Sequence, residues 1–171
     1  MVRELMKDTV FLAQKAQPAT ADDIPTADDL LDTLRAHADG CVGMAANMIG
    51  VNKAIIVFDD EGTLREMFNP EIVYRKGLYL TEEGCLSLKG LYEHVKRPAH
   101  VRVRAQEAEG KEFELDCTGL LAVCVQHEMD HLDGIVFIDH LSMLKKQRAC
   151  TKLRKLRREE REKEKEKASR R

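Results

Sequence analysis

The sequence predicts an α+β fold: mostly antiparallel sheets around one buried helix, followed by a long charged helix at the C-terminus. Three observations predict it. Short β-rich runs come first and long helical runs afterwards, an order that does not build parallel βαβ units. Residues 119–133 are apolar nearly all the way round a helix, which only a core accommodates. Beyond Leu141 the character changes to Lys, Arg and Glu. A chain of 171 residues is long enough for one domain with a real core, and the change divides it into a domain at 1–144 and a basic helical extension at 145–171.

The elements follow in order. Asp8 can start a short helix, and residues 18–25 read as a polar connector between Pro18 and Pro25. Thr26-Ala27-Asp28-Asp29 reads as a capped helix start; Leu30, Leu31, Leu34 and Ala38 follow at helical spacing, and Gly40 ends the helix. His37 beside that stripe reads as a surface or hydrogen-bonded histidine, not a ligand. Residues 41–48 read as extended and lead to a β-branched strand at 54–58. Asp59-Asp60-Glu61-Gly62 has the carboxylates of a calcium loop without EF-hand spacing, so it is expected to be a hairpin tip. Residues 66–74 give another strand, with Pro70 marking an edge or bulge. Residues 101–105 and 113–116 alternate around Glu109-Gly110, a hairpin with one wet face. Thr118 is the expected N-cap of the buried helix and Gly134 its stop. Ser142 caps the last helix, whose large aliphatic residues are Leu144, Leu153 and Leu156, with pairs such as Glu159 and Lys163 on its surface.

Chemistry concentrates in Gln126-His127-Glu128-Met129-Asp130-His131. On a helix His127 and His131 leave the same face, so two imidazoles reach one divalent ion. Glu128, about 100° further round, stands beside a water activated there, the arrangement of metal-assisted hydrolysis. Burying these groups without a cation would be costly; the plain alternative is a pair of hydrogen-bonded core histidines. The third ligand decides the class. A metzincin would place a histidine at 137, where this chain has Phe137. Asp133, Asp139 and His140 match no such spacing. Upstream, Glu83-Gly84-Cys85-Leu86-Ser87 offers a cysteine in a Gly-containing turn, and a thiolate is a strong ligand for Zn²⁺ or Fe²⁺.

These segments resemble the peptide deformylase family, which carries G-x-G-x-A-A-x-Q, E-G-C-L-S and Q-H-E-x-D-H. The second and third stand complete at 83–87 and 126–131, and the likeness runs from about residue 28 to the start of the C-terminal helix, through Phe68-Asn69-Pro70-Glu71 and the stretch from Asp116 to Asp139. The resemblance implies a peptide-deformylase-like fold and a metal-dependent hydrolase that removes the N-formyl group from the N-terminal methionine of newly made peptides. Cys85, His127 and His131 would hold one divalent ion, Fe²⁺ in the cell with Zn²⁺ or Ni²⁺ as substitutes. Glu128 would be the general base, and the backbone N–H of Leu86 would receive the developing oxyanion. Val42, Leu120, Val123 and Cys124 would form the pocket for the methionine side chain, and Gly43 would let the substrate backbone approach. Glu83 and Gly84 would line the same site, and Arg97 would contact the peptide further out.

The first motif departs from the pattern. It reads Cys41-Val42-Gly43-Met44-Ala45-Ala46-Asn47-Met48, with Cys41 at the first glycine and Met48 at the glutamine. In the family that glutamine donates to the formyl oxygen, and a thioether has no N–H. Losing one such donor costs about 10²–10³ in rate. Asn47, adjacent in an extended segment, would point to the other face. Three functions therefore stay open: a deformylase weakened by Met48, a deformylase-like binder of peptide N-termini or ribosomes, and a small metallohydrolase acting on a different amide.

Composition narrows the setting. No apolar run is long enough to span a bilayer, and the five cysteines (Cys41, Cys85, Cys117, Cys124, Cys150) show no disulfide framework, so the expected compartment is a reducing cytoplasm. Residues 145–171 hold 14 Lys and Arg against 5 Glu, a net of +9 that leaves −11 on the body and is masked by the whole-chain −2. That segment is either a solvated helix or an arm that seeks phosphate, ribosomal RNA near the nascent-peptide exit being the expected polyanion. Its lack of aromatics argues against sequence-specific nucleic-acid reading.

Overall fold

A computed structural model describes residues 1–170; Arg171, the last residue of the expected extension, lies outside the described residues. The Asp8 carboxylate accepts from the N–H of Val10 and Phe11 and starts the single turn α1 (Thr9–Leu12). The connector is more ordered than expected. Asp23 braces the Thr20 N–H at 2.9 Å, and Pro25, with φ already suited to a first turn, lets α2 (Ile24–Ala36) begin ahead of Thr26. It also ends short of Ala38, where the His37 ring bonds back to the Thr33 carbonyl at 2.9 Å. Ala27, Leu30 and Leu34 form its buried stripe.

β1 (Gly43–Ala45) is followed by a 3-10 turn over Ala46–Ile49, so the first motif curls where an extended segment was expected. β2 (Ile55–Asp60) and β3 (Thr63–Lys76) form a hairpin whose tip, Glu61-Gly62, has φ of 50° and 89°, the positive pair of a two-residue turn. β3 slips register between Phe68 and Glu71, around Pro70. Asn69 fills that bulge, donating to the Ala19 carbonyl and to Gln106 Oε1, both at 2.9 Å.

β4 (Tyr79–Gly84) and β5 (Tyr92–Arg97) pair as a separate two-stranded sheet that the sequence did not announce. β6 (His100–Gln106) and β7 (Glu112–Thr118) complete the antiparallel five-stranded sheet β1-β2-β3-β6-β7. The helix α3 (Gly119–Leu132) lies on this sheet, with Ala122, Val125 and Leu132 packed against Ile56, Phe58, Val101 and Val103. Thr118 stands at its N-cap without a side-chain bond. Gly134 ends it at φ 72°, and a Cβ there would run into the Ala13 carbonyl. Gly134 is thus both a stop and the place where the N-terminal segment crosses.

Ser142 Oγ accepts from the Lys145 N–H and opens α4 (Met143–Ser169). The expected boundary at 144/145 falls ahead of residues that pack into the body: Ala149, Leu153 and Leu156 meet Leu88, Leu91, Phe137 and Ile138. Leu144 is exposed. Glu159 pairs with Lys155, not with Lys163, and Arg158 with Glu162, each at 3.9 Å on an exposed face where such pairs contribute little.

Candidate metal centre and its cleft

β4 delivers Cys85 to the start of a 3-10 turn, Leu86–Leu88, while α3 presents His127 and His131 one turn apart. The ligand atoms of these three residues all lie within 4.8 Å of one another, and Cys85 Sγ is 3.4 Å from His131 Nε2. Two buried imidazoles and a partly buried thiol thus converge from segments 46 positions apart.

A chain of buried polar groups fixes the first imidazole. His127 Nδ1 donates to Glu83 Oε1 at 2.8 Å, which turns Nε2 toward the centre. Arg97 grips the same carboxylate, Nε on Oε2 at 2.6 Å and Nη2 on Oε1 at 2.9 Å. Its third nitrogen reaches Asp130 Oδ2 at 2.8 Å, which also meets His140 Nε2 at 2.7 Å. Phe137 stacks on the His127 ring, 5.9 Å between centroids and 23° between planes.

The electrostatics couple the thiol to the two imidazoles. Burial works to raise the Cys85 pKa, but hydrogen bonds to His127 and His131 outweigh it and hold the thiol well below its ordinary value. Burial likewise works against a charged His127, and its bonds to Cys85 and Glu83 override it and push the pKa well above normal. For Glu128 burial prevails over the neighbouring His127 and His131, and the pKa rises. Glu128 Oε2 and His131 Nδ1 are buried without a hydrogen-bond partner. Burying them this way is costly in the bare protein. One thiolate and two imidazoles form a donor set for a divalent transition ion, and the residues fit such a group.

The cleft beside the centre has a volume of about 750 Å³. Val42, Gly43, Met48, Gly84, Leu86, Leu120, Val123 and Cys124 all line it, as do Glu83, Cys85, His127 and Glu128. Val42 and Leu120 are exposed at its mouth, and Val123 and Cys124 are buried. Two expectations change. Arg97 does not face the peptide path: it is 3% exposed, its guanidinium spent on Glu83 and Asp130. The Glu83 carboxylate is likewise turned to His127 and Arg97, so a role in contacting substrate through that side chain does not hold.

Gly43 also has a reason the sequence did not show. A Cβ there would lie 2.7 Å from Cys124 Sγ and 2.9 Å from Glu128 Cγ, so the missing side chain makes room for the carboxylate. Met48 is buried, and its sulfur accepts from the Ala45 N–H at 3.5 Å. Asn47 donates its amide to the His131 carbonyl at 2.8 Å and supplies nothing to the cleft. Leu86, first residue of its turn, has an N–H with no acceptor inside that turn. Burial pushes the Cys41 thiol up to about 12, and Cys41 Sγ bonds to the Gly43 carbonyl at 2.9 Å. Tyr92 and the tip residues Asp59, Asp60 and Glu61 were missed as lining groups. The tip carried only a turn signal, and the Tyr92 strand carried none.

Comparison with known proteins places this geometry. The family model described as "Polypeptide deformylase" matches residues 4–147. Peptide deformylase 1 of Burkholderia multivorans is 51% identical over 134 residues, 76% of this chain and 73% of that protein. The peptide deformylase of Chromobacterium violaceum is 47% identical over 131 residues, 75% of this chain and 77% of that protein. Among solved structures, a peptide deformylase from Legionella pneumophila superimposes with a TM-score of 0.85 at 38% identity, covering 94% of this chain and 98% of its own. One from Thermus thermophilus gives 0.82 at 37% identity, covering 90% and 93%.

Proposed function

This chain belongs to the polypeptide deformylase family, and from that premise we propose how its cleft takes the N-formyl group off the N-terminal methionine of newly made peptides. The observation that carries the reading is the convergence of Cys85, His127 and His131 with Glu128 at the inner end of the cleft. Those three residues hold one divalent ion, Fe²⁺ in the cell with Zn²⁺ or Ni²⁺ able to replace it. When bound, the ion supplies Lewis acidity and lowers the pKa of a water. Glu128 takes the proton from the attacking water and returns it to the amine nitrogen as the C–N bond breaks, so formate and a free N-terminus leave together. The methionine side chain lies among Val42, Leu120, Val123 and Cys124, and Gly43 leaves space for Glu128. The Leu86 N–H meets the carbonyl oxygen as it becomes negative. Glu83 and Arg97 keep His127 in one orientation throughout.

Met48 leaves the oxyanion with that single backbone donor. Met48→Gln, assayed beside the unmutated protein with a formyl-methionyl peptide and the anaerobically prepared Fe²⁺ form, is expected to gain about 10²-fold in kcat/KM. An unchanged rate would show that the chain compensates for the sulfur. Absence of formate release from both proteins, with one equivalent of metal bound, would favour a binder of peptide ends or a hydrolase of another amide.

Among the described residues no helix is long and apolar enough to cross a membrane, and all five cysteines are free, which supports a reducing compartment, the cytoplasm. The outer half of α4 supports contact with a polyanion, ribosomal RNA, through charge and without base reading. Deleting residues 158–171 is expected to abolish ribosome co-sedimentation at low salt, an association that higher salt should also disrupt in the full chain. Unchanged sedimentation would end that idea.

A further inference from the structure

α4 lies mostly beyond the stretch that the family model covers, yet it reaches the metal-bearing turn. Arg157 donates through Nη2 to the Ser87 carbonyl at 3.2 Å, across 70 positions of chain. Ser87 lies two residues after Cys85 and directly follows Leu86, the oxyanion donor. The next contact is apolar: Leu156 Cδ1 lies 3.0 Å from where a Cβ on Gly90 would stand. One turn earlier Leu153 packs with Leu88, Leu91 and Phe137, the ring that stacks on His127. Among the described residues the backbone ties within the turn are short-range, Leu88 N–H to the Cys85 carbonyl at 3.0 Å and Leu91 N–H to the Leu88 carbonyl at 3.2 Å. The Ser87 hydroxyl is buried without a partner and contributes none. The outer face of the turn therefore depends on α4 for its fixed polar contact.

We propose that Arg157 is a positioning residue for the reaction: through the Ser87 carbonyl it holds the Cys85–Leu88 turn, and with it the thiolate and the Leu86 N–H, in register with His127 and His131. The proposal rests on the functional reading above for its kinetic consequence, though not for its structural one. Geometry at such a turn matters because displacements of about 1 Å cost on the order of 10²-fold in rate. Charge alone does not fulfil the role. Arg158, next in the chain, is exposed and makes only a 3.9 Å pair with Glu162 on its own helix. The arrangement also gives the basic helix a route to the centre: whatever engages the exposed part of α4 bears on the residue that holds the turn.

The test uses the full-length chain with Arg157→Leu, Arg157→Lys and, as control, Arg154→Gln, an exposed arginine on the inner part of α4. In the metal-free protein, amide exchange at residues 86–90 should speed up about tenfold in Arg157→Leu, with exchange along α3 unchanged; Arg157→Lys, which keeps a donor, should recover most of the protection. In the Fe²⁺ form Arg157→Leu should lower kcat about tenfold while KM changes less than about twofold, and chelator competition should show metal held about tenfold more weakly. Arg154→Gln should match the unmutated protein in all three. Wild-type exchange at 86–90 in Arg157→Leu would overturn the proposal, as would loosening spread over all of α4 with kcat and metal affinity intact. If the unmutated protein releases no formate, the exchange and chelator measurements still decide the matter, so failure of the deformylase reading is separable.

Discussion

Glu128→Gln is expected to lower kcat/KM for a formyl-methionyl peptide by about 10³-fold while the protein still binds one equivalent of metal. The amide keeps the volume and the fit against Gly43 and Cys124, but it cannot take a proton. Burial raises the Glu128 pKa above the usual carboxylate range. Activity therefore falls as pH drops through that raised value and is regained above it, and this acid limb should be missing from whatever residual rate the variant shows. Metal analysis separates this outcome from loss of the site: a variant empty of metal would mean that Glu128 belongs to the ligand set. An unchanged rate would remove it from the chemistry.

Arg97→Leu is expected to cost about 3–5 kcal/mol of stability, because it leaves Glu83 and Asp130 as carboxylates facing a buried apolar group. Both pKa values are held down in the intact protein: burial works to raise them, but His127 and Arg97 outweigh it at Glu83, and His140 and Arg97 do so at Asp130. A depressed carboxylate pKa contributes stability that is present above the unfolded value and lost as pH falls through the folded one. Without Arg97 burial is opposed only by His127 at Glu83 and by His140 at Asp130, so both pKa values move up and protonation then relieves part of the strain. The deficit, read from denaturant midpoints, should be larger at about pH 8 than at about pH 5. A deficit that does not change with pH would mean that lost packing, not charge, holds this layer together.

The pairing of His127 and His131 was legible in the sequence because helical spacing is local, whereas Cys85, 46 positions from His131, was reached through the motif resemblance. The hairpins showed in the same way, through Glu61-Gly62 and the alternation in β6 and β7. What escaped was non-local. Arg97 was assigned to substrate because nothing in Tyr92-Glu93-His94-Val95-Lys96-Arg97 says which carboxylates face it, and its partners come from β4 and α3. The small sheet of β4 and β5 has no clean alternation, since one face meets the cleft and the other the turn before α4. Asn47 was expected to point away from the cleft; it does so because a 3-10 turn, not an extended strand, carries it to the His131 carbonyl.

The strap formed by the first residues has a consequence for vectorial synthesis. Its seats are the Met48 carbonyl, taken by the Met6 N–H at 2.7 Å, and the Leu132 carbonyl, taken by the Ala16 N–H at 2.7 Å. The first seat exists once Met48 has been made, but the second must wait for Leu132, the last residue of α3. Closing a loop of that length carries an entropy penalty beyond that of the hairpins inside it, which makes for late docking of the strap. A nascent chain that has not yet reached His131 lacks one of the three side chains that converge on the centre.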